Sequence, residues 1–258
     1  MKPLAELDRH GVRALLFDID ETFSTAGKIT AQAYAALERL HTAGTRTVAV
    51  TGRPAGWCDH IARMWPVDAV VGENGAFYFR HAGGRLCRRY HEPSELRARH
   101  LERLARIGEQ IVAAVPGCAF AADQPYRETD LAIDYCEDVP PLPVGEAERI
   151  AVLMRAAGLH AKVSSIHVNG WFGDYDKLAM SRLLFRDEFG LNLERDRAAV
   201  LYVGDSPNDA PMFEFFPRSV GVANVRRFGS LLATPPKYIT SASSGAGFAE
   251  VVAHLMSA

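Results

Sequence analysis

Short apolar runs alternate with longer amphipathic stretches at both ends of this chain. The runs cover residues 14–17, 47–50, 68–71, 199–203 and 219–222. None alternates strictly between apolar and polar side chains, which is typical of parallel strands covered by helices on both faces. The stretches between the runs predict helices over 30–43 and 176–189, each followed by a glycine, and a third helix that begins near Pro207. The two ends therefore predict an α/β fold with a Rossmann-like parallel sheet.

The middle of the chain has a different pattern. Helical periodicity covers 94–115 and 146–157, and the segment 130–135 alternates like a strand with one apolar and one polar face. This predicts an inserted α+β unit with helices on one side of its sheet and an open, solvated surface on the other. The predicted division is a core of residues 1–83 and 169–258 and an insert of residues 84–168.

Composition excludes several classes of protein. Of the 258 residues 48% are hydrophobic, which is enough for a sizeable core, and 29 Lys and Arg nearly balance 31 Asp and Glu. Without a basic cluster, binding to nucleic acid or to an anionic membrane is not expected. The longest nearly apolar stretch, 111–122, is too short to span a bilayer, and the charged start is unlike a signal peptide. We expect a cytoplasmic monomer or homodimer whose four scattered cysteines are reduced thiols.

Two carboxylates, Asp18 and Asp20, follow the first predicted strand. Ligands of open parallel sheets bind beyond the carboxyl ends of the strands, so this pair stands where a binding site is expected. Like charges held two residues apart favour a cation between them, and oxygen ligands alone suit Mg²⁺. The alternative is that an acidic pair only marks the turn after a strand.

The end of the second strand and the start of a later helix carry groups that could hold an anion. Thr51-Gly52-Arg53 offers a hydroxyl and a flexible backbone, although an ordinary strand-to-helix turn has the same composition. Lys177 stands at a predicted helix start, where the macrodipole disfavours a cation. Either an anion lies near Lys177 or it is a solvated surface lysine.

The segment 204–209, Gly-Asp-Ser-Pro-Asn-Asp, follows another predicted strand and brings two more carboxylates, Asp205 and Asp209. Ser206 and Asp209 also fit a capping box before a helix with Pro207 at its first position. Asp209 therefore has a structural alternative, which Asp205 lacks.

In their order along the chain, these segments resemble the signature of the haloacid dehalogenase superfamily of phosphohydrolases, D-x-D-x-T, Thr or Ser, Lys and G-D-x-x-N-D. The matching positions are Asp18, Asp20, Thr22, Thr51, Lys177, Gly204, Asp205, Asn208 and Asp209. The long insert and the segment Glu73-Asn74-Gly75-Ala76 resemble the branch with a large α/β cap, class IIB. That branch includes Cof-type proteins, sucrose-phosphate phosphatases and phosphomannomutases.

The resemblance implies a role for each matched residue. Asp18 would attack phosphorus and form an aspartyl-phosphate, Asp20 would act as general acid and then base, and Thr51 and Lys177 would hold phosphoryl oxygens. The implied Mg²⁺ ligands are Asp18, Asp20 through its backbone carbonyl, Asp205 and Asp209. The predicted substrate-binding residues are Thr22, Gly52, Arg53, Asn74, Asn208, His167 and Asn169.

His167 and Asn169 belong to the segment 163–171, whose alternating polar side chains and Trp171 suit a hydroxyl-rich ligand; a further candidate is Arg127. Solvated strand residues, with Trp171 packed at the junction of core and insert, are an equally good explanation.

Two departures from the family pattern lie beside the nucleophile. Glu21 stands where most members have glycine, and Phe23-Ser24 where most have an apolar pair. Neither removes a reacting group, and both are expected to reshape this loop.

The resemblance predicts a Mg²⁺-dependent phosphatase that acts on a small phosphorylated metabolite, foremost a sugar phosphate. One alternative is a phosphomutase of the same superfamily, which the sequence does not separate from a phosphatase. A different class of protein, a regulatory module in which Asp18 is a phosphoacceptor, is opposed by Asp20, placed to speed hydrolysis, and by the long insert.

Overall fold

A computed structural model describes residues 1–164 and 166–257, and of residues 230 and 231 the backbone alone. The strands are β1 Lys2–Pro3, β2 Ala14–Phe17, β3 Ser24–Thr25, β4 Lys28–Ile29, β5 Arg46–Val50, β6 Ala69–Gly72, β7 Phe77–Ala82, β8 Arg85–Tyr90, β9 Ala119–Phe120, β10 Asp130–Asp134, β11 His160–Val163, β12 His167–Trp171, β13 Val200–Gly204, β14 Arg218–Gly221 and β15 Tyr238–Ile239. The helices are α1 Ala31–Thr42, α2 Ala55–Met64, α3 Ser94–Ala114, α4 Val144–Ala156, α5 Lys177–Phe189, α6 Leu193–Asp196, α7 Ala210–Phe215 and α8 Ser244–Met256.

The larger sheet has the strand order β1-β15-β14-β13-β2-β5-β6-β7-β8 in the described part of the chain. In this order, every neighbouring pair from β1 through β15, β14, β13, β2 and β5 to β6 is parallel. The last two strands, β7 and β8, pair antiparallel at one edge. The first strand after the N-terminal segment, β2, is therefore central, between β13 and β5. The predicted α/β fold with a Rossmann-like parallel sheet is confirmed.

Helices cover both faces of this sheet, as the absence of alternation predicts. Leu15 and Phe17 of β2 pack in one apolar cluster with α1, α2 and α8. Leu16, the residue between them, packs in a second cluster with α5 and α7. Because side chains of a strand point alternately to opposite faces, every residue of such a strand must be apolar.

Local signals fix where the predicted helices begin and end. The Thr30 hydroxyl accepts from the Ala33 N–H at the start of α1, and the Asp176 carboxylate accepts from the Ala179 N–H at the start of α5. Gly190 ends α5 with a positive φ of 64°. The third predicted helix starts as a 3₁₀ turn, Pro207–Asp209, that runs into α7, and its predicted capping box is present.

The smaller sheet is antiparallel, in the order β11-β12-β10-β9 over residues 1–164 and 166–257. Leu104 and Ile111 of α3 and Ile150 and Met154 of α4 pack on its apolar face and form a separate buried cluster. This is the α+β arrangement that the sequence predicts for the insert.

The strand pairing differs from the predicted boundaries of the insert at both ends. The predicted insert includes residues 84–90, but β8 pairs with β7 and extends the larger sheet. The predicted core includes residues 169–171, but β12 pairs with β10 and β11 through Trp171. The first predicted boundary falls in the Gly83-Gly84 turn of the β7-β8 hairpin, and the second falls inside β12.

The polar face of the smaller sheet is not open to solvent, contrary to the prediction. All of β10 and β12 is buried, and Asp130 and Asp134 are 0% and 1% exposed. This face lies against the carboxyl ends of the core strands, where it meets Gly52 and Arg53. Polar residues that alternate along a strand show that one face of the sheet does not pack on an apolar core. They do not show whether that face contacts solvent or another polar surface of the protein.

Gly75 fixes the approach of the turn after β6 to the start of α5. It has a φ of 110°, and a Cβ at this position would lie 2.0 Å from the backbone oxygen of Asp176.

We expect Gly75→Ala to cost at least about 3 kcal/mol of unfolding free energy, because strain and a backbone clash add up. Gly84→Ala is the matched control: its φ is also positive, 74°, but no atom lies within 4 Å of the new Cβ. Equal urea-unfolding losses for both variants would contradict this role of Gly75.

Candidate active site

Three strand ends converge at the centre of the larger sheet. Asp18 follows β2, Thr51 follows β5 and Asp205 follows β13, and these are neighbouring strands. One carboxylate oxygen each of Asp18, Asp205 and Asp209 lies within 4.8 Å of the other two, and all three residues are buried. The reading of the acidic pair as only a turn marker does not explain this convergence.

Lys177 lies between two of these carboxylates. Its Nζ is 2.7 Å from Asp18 Oδ1 and 2.8 Å from Asp209 Oδ1, and its side chain is 4% exposed. The surface-lysine alternative is therefore wrong. The two carboxylates also offset the cost of placing a cation at the first residue of α5.

Asp209 has both carboxylate oxygens engaged. Oδ1 accepts from Lys177 and from the Tyr202 hydroxyl, and Oδ2 accepts from the backbone N–H groups of Asp205 and Ser206. These bonds give Asp209 the capping role that the sequence left open. They also fix the loop that carries Asp205.

The electrostatics of the cluster favour a cation. Burial raises the pKa of Asp18 to about 7, with further increases from Asp209 and Asp20, although Lys177 opposes the shift. Burial, Asp18 and Asp209 raise the pKa of Asp205 well above its ordinary value. Burial lowers the pKa of Lys177, but the charges of Asp18 and Asp209 outweigh this effect and raise the pKa above its ordinary value. Three buried carboxylates face one ammonium, and such an oxygen donor set fits a hard divalent ion such as Mg²⁺.

The side chain of Asp20 lies apart from that cluster, in an ion pair. Arg53 Nε is 3.0 Å from both Asp20 oxygens, and Arg53 Nη2 is 2.8 Å from Oδ1. Arg53 also donates to Glu137 at 2.8 Å and to Asp123 at 3.5 Å, both from the insert. Arg53 therefore joins the core to the insert directly above the predicted acid.

Each guanidinium nitrogen of Arg127 donates to a protein acceptor, and the residue also lines a cavity with Asp18 and Asp20. Its guanidinium donates to Asp123, to both oxygens of Asp130, and to the backbone oxygen of Gly52 at 2.9 Å. Its side chain is 0% exposed. Arg127 holds the insert against the loop that follows Thr51.

Glu73 ties the insert to the core at a second point, which sequence reasoning missed. Its carboxylate is fully buried and accepts from the backbone N–H groups of Ala55, Glu128 and Thr129 and from the Thr129 hydroxyl. Burial, with Asp130 nearby, raises its pKa to about 7. The neighbouring glycine and asparagine were visible as a turn signal, but no local pattern indicates a buried glutamate.

The substrate-binding candidates fall into two groups. Gly52, Arg53, Asn208, His167 and Asn169 line one cavity with Asp18 and Asp20. The other two candidates lie elsewhere: Thr22 is buried and donates to Asp205 Oδ1 at 3.5 Å, and Asn74 lies against Gly52 and lines a neighbouring cavity.

The cavity over Asp18 and Asp20 has a volume of only about 20 Å³, which is the space of roughly one water molecule. The neighbouring cavity, of about 680 Å³, reaches the same region at Lys177 and Asn208. In this arrangement the cavity over Asp18 and Asp20 has no room for a substrate larger than water. In the segment 163–171, Ser165 lies outside the described residues.

The two departures from the family pattern interact with each other. Glu21 has a φ of 55°, a conformation that favours glycine, and its N–H donates to the Ser24 hydroxyl at 3.1 Å. Phe23 is fully buried among Phe17, Trp65 and Phe248. The loop after Asp18 is thus held by the residues that depart from the pattern.

Comparisons with known proteins agree with this geometry. Residues 15–116 match the family described as haloacid dehalogenase-like hydrolase. The match covers the first part of the chain. The matched residues include Asp18, Asp20, Thr51 and the turn at Glu73. No curated protein sequence matches the chain.

Solved structures of several other proteins have a similar fold over nearly the whole chain. A Thermoplasma acidophilum protein has a TM-score of 0.73 at 17% identity, covering 95% of this chain and 99% of its own. A HAD/COF-like hydrolase from Plasmodium vivax has a TM-score of 0.69 at 17% identity, covering 95% of each chain. The sucrose-phosphatase of Synechocystis, solved with sucrose and phosphate, has a TM-score of 0.65 at 16% identity, covering 95% and 98%. At these identities the likeness concerns the fold.

In the part of the chain that the structure describes, no helix is both long and apolar enough to cross a membrane. Among the described residues, no disulfide joins the cysteines at 58, 87, 118 and 136.

Glu137 should stabilise the protein in a pH-dependent way. Burial alone would raise the pKa of Glu137, but hydrogen bonds from His167 and Arg53 and their charges lower this pKa to about 2. A depressed carboxyl pKa adds stability above the unfolded value of about 4.5, and this stability is lost as the pH falls towards 2. We expect Glu137→Gln to lose about 1–2 kcal/mol at pH 6, allowing for solvent screening, and clearly less at pH 3. Urea unfolding at both pH values, with the exposed Glu148→Gln as control, measures this; a pH-independent loss would contradict it.

Proposed function

We propose that this protein is a Mg²⁺-dependent phosphatase that hydrolyses a small phosphorylated metabolite, with a sugar phosphate as the substrate class. The observation that carries the proposal is the buried arrangement of Asp18, Asp205, Asp209 and Lys177 at the end of a central parallel strand. A family match over residues 15–116 supports hydrolase chemistry.

Asp18 is the proposed nucleophile. Its Oδ1 accepts from Lys177, which leaves Oδ2 to attack phosphorus and form an aspartyl-phosphate. Lys177 keeps the attacking carboxylate ionised and oriented, and it stabilises charge on the phosphoryl oxygens in the transition state. The Thr51 oxygen accepts from the Arg53 N–H at 3.0 Å, so its own proton can be donated to a phosphoryl oxygen.

Asp18, Asp205 and the backbone carbonyl of Asp20 would hold the Mg²⁺. When bound, the ion offsets the negative charge of the phosphoryl group as it approaches the carboxylates. Asp209 has both oxygens engaged, so in this proposal it orients the ligands and is not itself a ligand.

Asp20 is the proposed acid for the leaving oxygen and the base for the hydrolytic water. Both Asp20 oxygens accept from Arg53, so Arg53 must release Asp20 before Asp20 can give a proton to the leaving oxygen. Glu137 and Asp123 already share Arg53 and can keep it when the insert closes on a substrate.

The positions of His167 and Asn169 support the proposal that the leaving group is rich in hydroxyls. Both lie on β12 and line the cavity over Asp18 and Asp20. The Asn169 amide donates to Asp130 at 3.0 Å, so its oxygen is oriented as an acceptor for a ligand hydroxyl. The Synechocystis protein of similar fold was solved with sucrose and phosphate, which is consistent with this substrate class.

A phosphate-release screen tests the proposal. The full-length protein with Mg²⁺ is offered hexose phosphates, nucleotides, phospho-acids and an aryl phosphate. Repeated release of inorganic phosphate from a sugar phosphate supports the proposal. Conversion of one hexose phosphate into an isomer without release would indicate a phosphomutase, and a single, persistent phosphorylation of Asp18 would indicate the regulatory module.

Asp18→Asn should abolish turnover while the fold is retained. An amide is a poor nucleophile, so we expect kcat to fall on the order of a thousandfold or more. The measurement is phosphate release, with circular dichroism to verify the fold and Asp8→Asn, an exposed aspartate, as control. Activity within tenfold of the unmodified protein would contradict the assignment of Asp18.

Lys177→Ala should affect both activity and stability. Loss of an oriented cation typically lowers kcat about a hundredfold or more. The change also removes the cation from two buried carboxylates, which costs about 3–5 kcal/mol in comparable cases. Steady-state kinetics and urea unfolding, each compared with the exposed Lys237→Ala, measure the two effects. An unchanged kcat with lowered stability would assign Lys177 a structural role alone.

A further inference from the structure

Arg227 reaches a predicted metal ligand from a segment to which sequence reasoning gave no role. It lies in the 3₁₀ segment Ala223–Leu231, which follows β14. Its Nη2 is 3.0 Å from Asp205 Oδ2. The Arg227 side chain is 44% exposed, whereas that of Asp205 is 0% exposed. A solvated guanidinium therefore contacts a fully buried carboxylate at the site.

Asp205 does not depend on Arg227 for its orientation. Asn224 donates to the same oxygen, Oδ2, at 3.0 Å, and Thr22 donates to Oδ1 at 3.5 Å. Asn224 is itself fixed, since its amide also donates to the backbone oxygen of Glu21 and its oxygen accepts from the Ser244 N–H. These neutral partners hold the carboxylate, so the distinct contribution of Arg227 is its positive charge.

We infer that Arg227 is a mobile counter-charge that competes with the divalent cation for Asp205 and so sets the affinity for Mg²⁺. The inference rests on the proposed function, in which Asp205 is a metal ligand. A guanidinium and a divalent ion that share one carboxylate repel each other, and partial exposure lets Arg227 swing into water when the ion arrives. Until then, Arg227 adds to Lys177 as a positive charge beside the buried carboxylates.

The test is Mg²⁺ binding without substrate, measured by isothermal titration calorimetry. Arg227→Gln should bind Mg²⁺ about threefold to tenfold more tightly than the unmodified protein at low ionic strength. This gain should shrink as salt is added. Arg226→Gln removes the same charge from the exposed neighbouring arginine and should leave the affinity unchanged. Arg227→Lys, which keeps the charge, should stay close to the unmodified protein.

Thermal unfolding gives a second measurement. Without the counter-charge the metal-free protein should be less stable, so the increase in Tm between EDTA and saturating Mg²⁺ should be larger for Arg227→Gln than for Arg226→Gln. Equal or weaker Mg²⁺ binding by Arg227→Gln would overturn the inference and leave the phosphatase proposal intact. Absence of Mg²⁺ binding in every variant, and of Mg²⁺-dependent phosphate release, would overturn both.

Discussion

The contact of Lys177 with Asp18 and Asp209 determines how the rest of this site can be built. Three carboxylates buried at the ends of adjacent strands repel one another, and in a low-dielectric interior that repulsion is large. The ammonium offsets part of it, which lets the strand ends converge. The remaining negative charge attracts a divalent cation, and Arg227 supplies a weaker, solvated positive charge. Stability of the core and affinity for a metal are therefore linked through one cluster of charges.

The insert meets this cluster with a polar face of its own. Arg53 from the core and Glu137 from the insert pair above Asp20, while Glu73 and Arg127 satisfy backbone groups across the junction. Polar contacts of this kind hold the two parts in register, yet they can exchange partners at lower cost than an apolar interface can separate. The cavity of about 20 Å³ over Asp18 and Asp20 lies directly beneath these contacts. Polar contacts at this position can therefore rearrange when a ligand binds.

The structural features that the sequence predicts correctly are those with a signal in neighbouring residues. Periodicity located the buried strands and the long helices because a side chain's burial follows from its position on a strand or helix. Thr30, Asp176 and the capping box at Ser206 marked helix starts through bonds within a few residues. The order of acidic and basic motifs indicated which strand ends carry chemistry, since parallel strands present their carboxyl ends at one edge.

The sequence by itself determined the layered α/β core, the existence of an α+β insert, and the residues that gather around Asp18. Only the tertiary structure decided that Lys177 is buried, that Asp20 is paired with Arg53, and that the polar face of the insert lies on the site. The tertiary structure also revealed the contacts of Glu73, Glu137 and Arg227, and its strand pairing changed both boundaries of the insert. The physical reason is that each of these facts depends on contacts between residues far apart in the chain, whose energy has no counterpart in local periodicity or spacing.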